Sequence, residues 1–198
     1  MGREFELKFR ATPEVLDCIR AEYGPFSPID METLYYDTPE GHMRRLRWTL
    51  RRRYENGVSV CTLKTPASGG GRGEWEVRCP DIRDAIPKLV DLGAPKDLLL
   101  LAGTTLQEVC AARFTRMAAT LEIPGATAEL ALDRGVLLGG GQELPFAEVE
   151  VELKAGSEAA VTAFADDLAR RFRLEPEPKS KQQRALALAK GNIEHGQS

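Results

Sequence analysis

The pattern that most restricts this chain is a strand alternation in which one face is apolar and the other fully charged. Glu4, Glu6, Lys8 and Arg10 alternate with Phe5, Leu7 and Phe9, so an extended backbone sorts the charges to one side and the apolar groups to the other. The pattern returns at Glu74-Trp75-Glu76-Val77-Arg78 and over residues 147–154, where Glu148, Glu150 and Glu152 alternate with Val149, Val151 and Leu153. Carboxylates two residues apart on one strand face stand about 6.5 Å from each other. Several such strands facing one another require cations between them, either metal ions or Arg and Lys. Basic strands provide fixed ones: Arg51 and Arg53 in residues 50–54, Lys64 closing residues 58–64, and Arg78. A sheet that closes on itself brings the two kinds of strand into opposition. The expected fold is therefore a closed β-barrel with a charged interior. Its core lies outside the barrel, where Phe5, Leu7, Phe9, Leu50, Val149, Val151 and Leu153 point toward covering helices.

Turn and helix signals fit an α+β arrangement. Asn56-Gly57 marks a hairpin, because both residues tolerate positive φ, and Ile123-Pro124-Gly125 and Gly139-Gly140-Gly141 separate later strands at 114–123, 126–132 and 147–154. Thr12 reads as the N-cap of a helix with Pro13 and Glu14 in its first turn, ending near Gly24. Residues 81–92, closed by Gly93, read as a second helix with Pro87 as its weak point. Ser157 opens a third, with Val161, Phe164, Leu168 and Phe172 at helical spacing, and Ser180 opens a last one through Leu186 and Leu188. One domain over residues 1–190 is expected, with 191–198 as a frayed, disordered tail. Neither Gly69-Gly70-Gly71-Arg72-Gly73 nor the later glycine run completes a G-x-x-x-x-G-K-[ST] phosphate loop, so both read as loops.

Charge and cysteine usage narrow the function. The 30 acidic and 27 basic side chains leave a net charge of -3, which argues against a general nucleic-acid binder. Of the basic residues 19 are Arg, and six of these fall between Arg44 and Arg53, which suits fixed bidentate contacts to phosphate or carboxylate. The four cysteines, Cys18, Cys61, Cys79 and Cys110, form no C-x-x-C pair, and His42 and His195 are the only histidines. A zinc site, a disulfide framework and His-based nucleophilic catalysis are all disfavoured. No apolar run approaches the roughly 20 residues of a membrane helix. These features predict a cytoplasmic protein, monomer or homodimer, that binds neither nucleic acid nor membrane. A lumen of carboxylates and bases suits a small, multiply anionic ligand: carboxylate oxygens hold Mg²⁺ or Mn²⁺, and Arg and Lys neutralise the remaining charge.

The motifs along the chain are similar to those of the CYTH superfamily, the triphosphate tunnel metalloenzymes. Glu4-Phe5-Glu6-Leu7-Lys8 resembles the family's E-x-E-x-K, and Tyr35-Tyr36-Asp37-Thr38 its Y-[FY]-D-T turn. Leu50 to Arg53 and Thr62-Leu63-Lys64 resemble its L-R-x-R and T-x-K strands, and Arg72 to Glu76 its R-x-E-x-E segment. Phe114-Thr115-Arg116 resembles its F-x-R strand, Asp133-Arg134-Gly135 its D-x-G hairpin, Glu148 to Lys154 its E-x-E-x-E-x-K strand, and Ser180-Lys181 with Arg184 its closing S-K-x-x-R. Cys110 and Ala112 depart from the family's F-x-T-x-F-x-R pattern.

The resemblance implies an eight-stranded antiparallel barrel forming a tunnel, dependence on Mg²⁺ or Mn²⁺, and a triphosphate substrate. It assigns metal ligation to Glu4, Glu6, Glu150 and Glu152, with Asp133 as a further ligand. Phosphate binding falls to Lys8, Arg51, Arg53, Lys64, Arg116, Lys181 and Arg184. Glu4, Glu6 and Lys8 are the expected catalytic set, and Glu74, Glu76, Glu129 and Glu148 are supporting acids. The wording is most similar to the inorganic triphosphatase branch, whose second, histidine-rich helical domain has no counterpart in these residues. Hydrolysis of inorganic triphosphate is the leading expectation. Action on thiamine triphosphate or ATP, with Trp48, Tyr54 or Trp75 stacking on the organic part, is one alternative, and a non-catalytic polyphosphate or nucleotide binder is another.

Overall fold

The alternating strands pair into one antiparallel sheet in the computed structural model, which describes residues 5–66 and 72–195. Glu4 and the glycine run at 69–71 lie outside the described residues. In chain order the elements are β1 (Glu6–Arg10), α1 (Pro13–Tyr23), β2 (Ser27–Asp37), α2 (His42–Arg45), β3 (Thr49–Glu55), β4 (Val58–Pro66) and β5 (Arg72–Arg78). There follow α3 (Ile82–Asp91), α4 (Asp97–Ala102), β6 (Gln107–Ile123), β7 (Ala126–Gly139), β8 (Gln142–Gly156), α5 (Glu158–Phe172), β9 (Glu175–Pro176) and α6 (Lys181–His195). The strand order is β5-β4-β3-β2-β6-β7-β8-β1-β9. The eight long strands are those of the expected barrel, and the two-residue β9 pairs with Phe9 and Arg10. No ladder joins β5 to β1 or β9 among the described residues. Glu6 and Lys8 of β1 nevertheless line the same cavity as Glu74 and Glu76 of β5, so the sheet wraps around that cavity with its two ends facing it.

Local chemistry explains most element ends. At the β3–β4 hairpin Asn56 and Gly57 take φ values of 47° and 84°, the left-handed conformations such a two-residue turn demands. Thr12 Oγ1 accepts from the Val15 N–H at 3.4 Å, and Asp81 accepts from the N–H groups of Arg83 and Asp84. Ser180 and Gln183 form a reciprocal cap: the Gln183 N–H donates to Ser180 Oγ, and the Ser180 N–H donates to Gln183 Oε1. Ser157 precedes α5 but makes no side-chain capping bond. Helix α3 continues through Pro87 because Ile82, Ala85, Ile86 and Leu89 are all buried, and their packing offsets the bond that proline removes. Helix α6 runs on to His195, past the boundary expected at residue 190; the lone Gly191 costs a helix about 1 kcal/mol relative to alanine and does not by itself end one.

Two apolar clusters lie outside the barrel, as the alternation requires. Phe9, Leu130, Val149 and Val151 pack against Leu16 and Ile19 of α1 and Val161, Ala165 and Leu168 of α5, with Phe5, Leu7 and Leu153 at the margin. Leu50, Cys61 and Leu63 pack against Ile82, Ile86 and Leu89 of α3 and Leu98 of α4. A third cluster was not expected. Met31, Tyr35, Ala112, Phe114, Leu137 and Phe146 enclose Ala185 of α6, so part of the interior is apolar and filled by a helix. The glycines of β7 permit this: a Cβ on Gly139 would sit 2.1 Å from the Ala185 carbonyl oxygen.

Candidate functional site

Strand register brings the charged residues into rows. On β1 and β8, Glu6 stands opposite Glu152, Lys8 opposite Glu150, and Arg10 opposite Glu148. On β7 and β8, Glu129 stands opposite Glu152 and Asp133 opposite Glu148, and Arg116 of β6 faces Asp133. Across the sheet Thr33 pairs with Arg53 and Tyr35 with Arg51, while Thr62 pairs with Glu76 and Lys64 with Glu74. All of these except Arg10, Thr62, Glu129, Asp133 and Glu148 line a cavity of about 930 Å³. One wall carries Glu6, Glu150 and Glu152, and another carries Arg51, Arg53 and Lys64.

The deep end of the tunnel is a closed ionic network. Arg116 donates to both oxygens of Asp133, at 2.8 and 2.7 Å, and also binds Glu150. Lys181 reaches Asp133 and Glu150, each at 2.8 Å, and Glu148 as well. Arg184 binds Glu148 and lies 3.7 Å from Glu177. Asp133 and Glu148 are 0% exposed. The Phe114 and Phe146 rings place their faces near Lys181, with centroids 5.1 and 5.5 Å from Nζ, which favours the cation. Burial pushes the Glu148 carboxyl up to about 7 against the pull of Lys181. Burial opposes charge at Glu150 too, but Lys181 and Arg116 outweigh it and hold that carboxyl well below the ordinary range. One oxygen from each of Asp133, Glu148 and Glu150 lies within 4.8 Å of the others. Such an all-oxygen set suits Mg²⁺ or Mn²⁺, although each of these carboxylates already faces a cation of the chain.

The outer part of the cavity is looser. Lys8 lies 3.7 Å from Glu6, Lys64 lies 3.2 Å from Glu74, Arg53 bonds Glu55 at 3.0 Å, and Lys154 bridges Glu152 at 2.8 Å and Glu129 at 3.6 Å. The Glu6 and Glu152 side chains keep 30% and 27% exposure, whereas that of Glu148 keeps none. Arg53 Nε is buried without a hydrogen-bond partner. The described residues expected to form the site therefore meet around one tunnel, divided between a saturated deep network and a more open outer set.

Sequence reasoning missed three contributors. Glu177 is buried, accepts from the Lys179 N–H, and lies 3.8 Å from Arg10; no periodicity marks it. Lys154 was visible in its motif but carried no assigned role. Asp37 accepts from the N–H groups of Thr38, Met43 and Arg44, so it fixes the α2 segment beside the mouth. Of the proposed stacking residues, Trp48 lines the cavity. Trp75 packs in the outer cluster beside α3, and Tyr54 lies under Arg52, 5.4 Å from ring centroid to guanidinium carbon.

An antiparallel tunnel with opposed acidic and basic walls defines a class of proteins built to hold small polyanions. A model of the CYTH domain matches residues 2–186, and the chain belongs to that family. It is 27% identical over 175 residues to an inorganic triphosphatase of Haemophilus influenzae, a match covering 85% of this chain and 50% of that protein. The chain thus spans about half the length of that curated relative. Among solved structures it resembles a candidate adenylate cyclase of Bacillus halodurans, with a TM-score of 0.61, 19% identity and coverage of 93% and 98% of the two chains. It also resembles a candidate adenylyl cyclase of Hippeastrum with a dominant triphosphatase activity, with a TM-score of 0.58, 17% identity and coverage of 92% and 94%. At these identities the structural likeness speaks for the fold. No helix among the described residues is long and apolar enough to cross a membrane.

Proposed function

We propose that the protein is a divalent-metal-dependent hydrolase that cleaves inorganic triphosphate to diphosphate and phosphate inside the tunnel. The observation that carries this reading is the opposition of walls in one cavity: Glu6 and Glu152 on one side, Arg51, Arg53 and Lys64 on the other. The triphosphatase relative points the same way. Simple anion capture would need the bases without the carboxylates. Glu6 and Glu152, with Glu4, supply oxygen donors of the kind Mg²⁺ and Mn²⁺ take. A cation bound there would draw phosphoryl oxygens to the acidic wall and acidify a bound water.

The remaining work falls to the chain's own side chains. Arg51, Arg53, Lys64 and Lys8 hold the substrate's non-reacting oxygens. Glu150 and Asp133 hold Arg116 and Lys181 toward the phosphates before they meet any metal, and Arg184 steadies the same network through Glu148. Water adds to the terminal phosphorus, the bridging P–O bond breaks, and diphosphate leaves with the electron pair. The water's proton passes to a carboxylate of the acidic wall.

The test is phosphate release from tripolyphosphate with and without Mg²⁺ or Mn²⁺, run beside thiamine triphosphate and ATP. Metal-dependent release from tripolyphosphate is expected, and Glu6→Gln or Glu152→Gln should lower it at least about 100-fold. Full activity in excess chelator, or turnover confined to an organic triphosphate, would overturn the reading.

A further inference from the structure

Three arginines precede β3 at the mouth of the tunnel, and the structure treats them differently. Arg45 turns away to the carbonyl oxygen of Glu40. Arg44 and Arg47 instead line the cavity that holds Arg51, Arg53 and Lys64. Both are exposed. Among the described residues neither guanidinium has an acidic partner, in contrast to Lys8, Arg53, Lys64 and Lys154.

Hydrogen bonds fix the backbone that carries these two side chains. Arg47 has φ 57°, a left-handed conformation uncommon for any residue with a Cβ and often kept where a site needs it. It is held by hydrogen bonds from the Arg47 N–H to the Arg44 carbonyl and from the Trp48 N–H to the Met43 carbonyl. Asp37 accepts from the Met43 and Arg44 N–H groups. The Arg44 guanidinium packs over Gly41, where a Cβ would sit 2.7 Å from Nη2. With the main chain already ordered, an arriving anion has only the two side chains left to order.

Position gives the pair a meaning. Arg51 and Arg53 line the cavity from β3, Lys64 stands opposite Thr49 at the start of that strand, and Arg44 and Arg47 precede it and line the same cavity. Basic groups therefore continue from Arg51, Arg53 and Lys64 into the turn that precedes β3. A cavity of about 930 Å³ is at the upper end of the roughly 300–1,000 Å³ that encloses a drug-sized ligand, and a linear triphosphate is much smaller than that.

The geometry points to Arg44 and Arg47 as an outer subsite for a further phosphoryl group, so that the enzyme takes linear inorganic polyphosphates longer than triphosphate in preference to triphosphate itself. This rests on the triphosphatase reading, with the longer chain running out past Lys64 toward α2.

The experiment compares wild type with the Arg44→Gln/Arg47→Asn double variant on tripolyphosphate and tetrapolyphosphate, by kcat/KM with Mg²⁺ and by calorimetric binding without metal. Asparagine at position 47 tolerates the left-handed backbone, and unchanged thermal unfolding checks the fold. The wild type should favour tetrapolyphosphate. The variant should lose about tenfold on tetrapolyphosphate, about 1.4 kcal/mol, and less than about twofold on tripolyphosphate, with Arg47→Lys keeping most of the preference. Equal losses on both substrates, or no loss on either, would overturn the subsite while leaving the hydrolase reading intact. A wild type that neither binds nor cleaves either chain would overturn both.

Discussion

Two sets of opposite charges sit in this barrel only a few residues apart on the same strands, and they are built differently. In the deep set, Asp133, Glu148 and Glu150 are saturated by Arg116, Lys181 and Arg184. In the outer set, Glu6 and Glu152 keep about a quarter to a third of their surface. The same residue types alternating along one strand, as Glu148, Glu150 and Glu152 do, therefore pass from structural to available within a single β8. What divides them is α6. Its Lys181 and Arg184, one turn apart, enter beside Phe114 and Phe146 and turn the inner carboxylates into anchors for the helix.

The largest expected consequence is in stability. Lys181→Met leaves buried carboxylates without their shared cation, and breaking a buried ionic group in this way costs about 3–5 kcal/mol. For a chain of this size the melting temperature should fall by on the order of 10 °C. Glu6→Gln, in the exposed set, should cost no more than about 1 kcal/mol. Calorimetry of the two variants measures the contrast directly; comparable losses would dissolve the division between the sets.

A finer probe is the thiol of Cys110, which lies in the interior apolar cluster, 3.9 Å from the carbonyl oxygen of Gln182 on α6. Burial pushes this thiol up to about 12. At pH 8 it stays protonated and shielded, while Cys18 is exposed. Mass-resolved alkylation should label Cys18 first and Cys110 only through local opening. Lys181→Met should raise the Cys110 rate at least about tenfold if α6 is held by the deep network, whereas Glu6→Gln should leave it near the wild-type rate. Equal Cys110 rates in both variants would detach the helix from the network.

The outer cluster and both charged walls were legible because period-two alternation leaves only one way to segregate Phe9, Val149 and Val151 from Glu148 and Glu150. The hairpin at Asn56-Gly57 was legible because φ sets its chemistry. Strand β2 was not read as a strand, its end at Tyr35-Tyr36-Asp37 being matched only to a turn motif, since its inward residues Met31, Thr33 and Tyr35 carry no charge and the pattern that exposed the other strands is missing there. The short helices α2 and α4 have too few residues for periodicity to register. The division between deep and outer charges was hidden for a different reason. Lys181 and Arg184 showed that they share a helix face, but nothing local says that this face fills the barrel, because the contact joins residues 31 to 48 positions apart in sequence. Arg44 and Arg47 precede β3 and carry no strand alternation, so only the fold shows that they line the cavity.

The smallest expected effect separates the two sets by screening. The Debye length shrinks from about 10 Å at 0.1 M to about 3 Å at 1 M salt, and exposed charges are screened far more than buried ones. The outer wall meets its ligand in contact with solvent, so raising monovalent salt over this range should increase the tripolyphosphate KM several-fold. The deep network excludes water at Asp133 and Glu148, so the same salt should shift the melting temperature by no more than a few degrees. A control with the divalent metal held in constant excess removes competition for the acidic wall. If the KM is flat while the melting temperature collapses, the charges that bind substrate are the buried ones, and the assignment of Arg51, Arg53 and Lys64 as the primary phosphate contacts must give way to Arg116, Lys181 and Arg184.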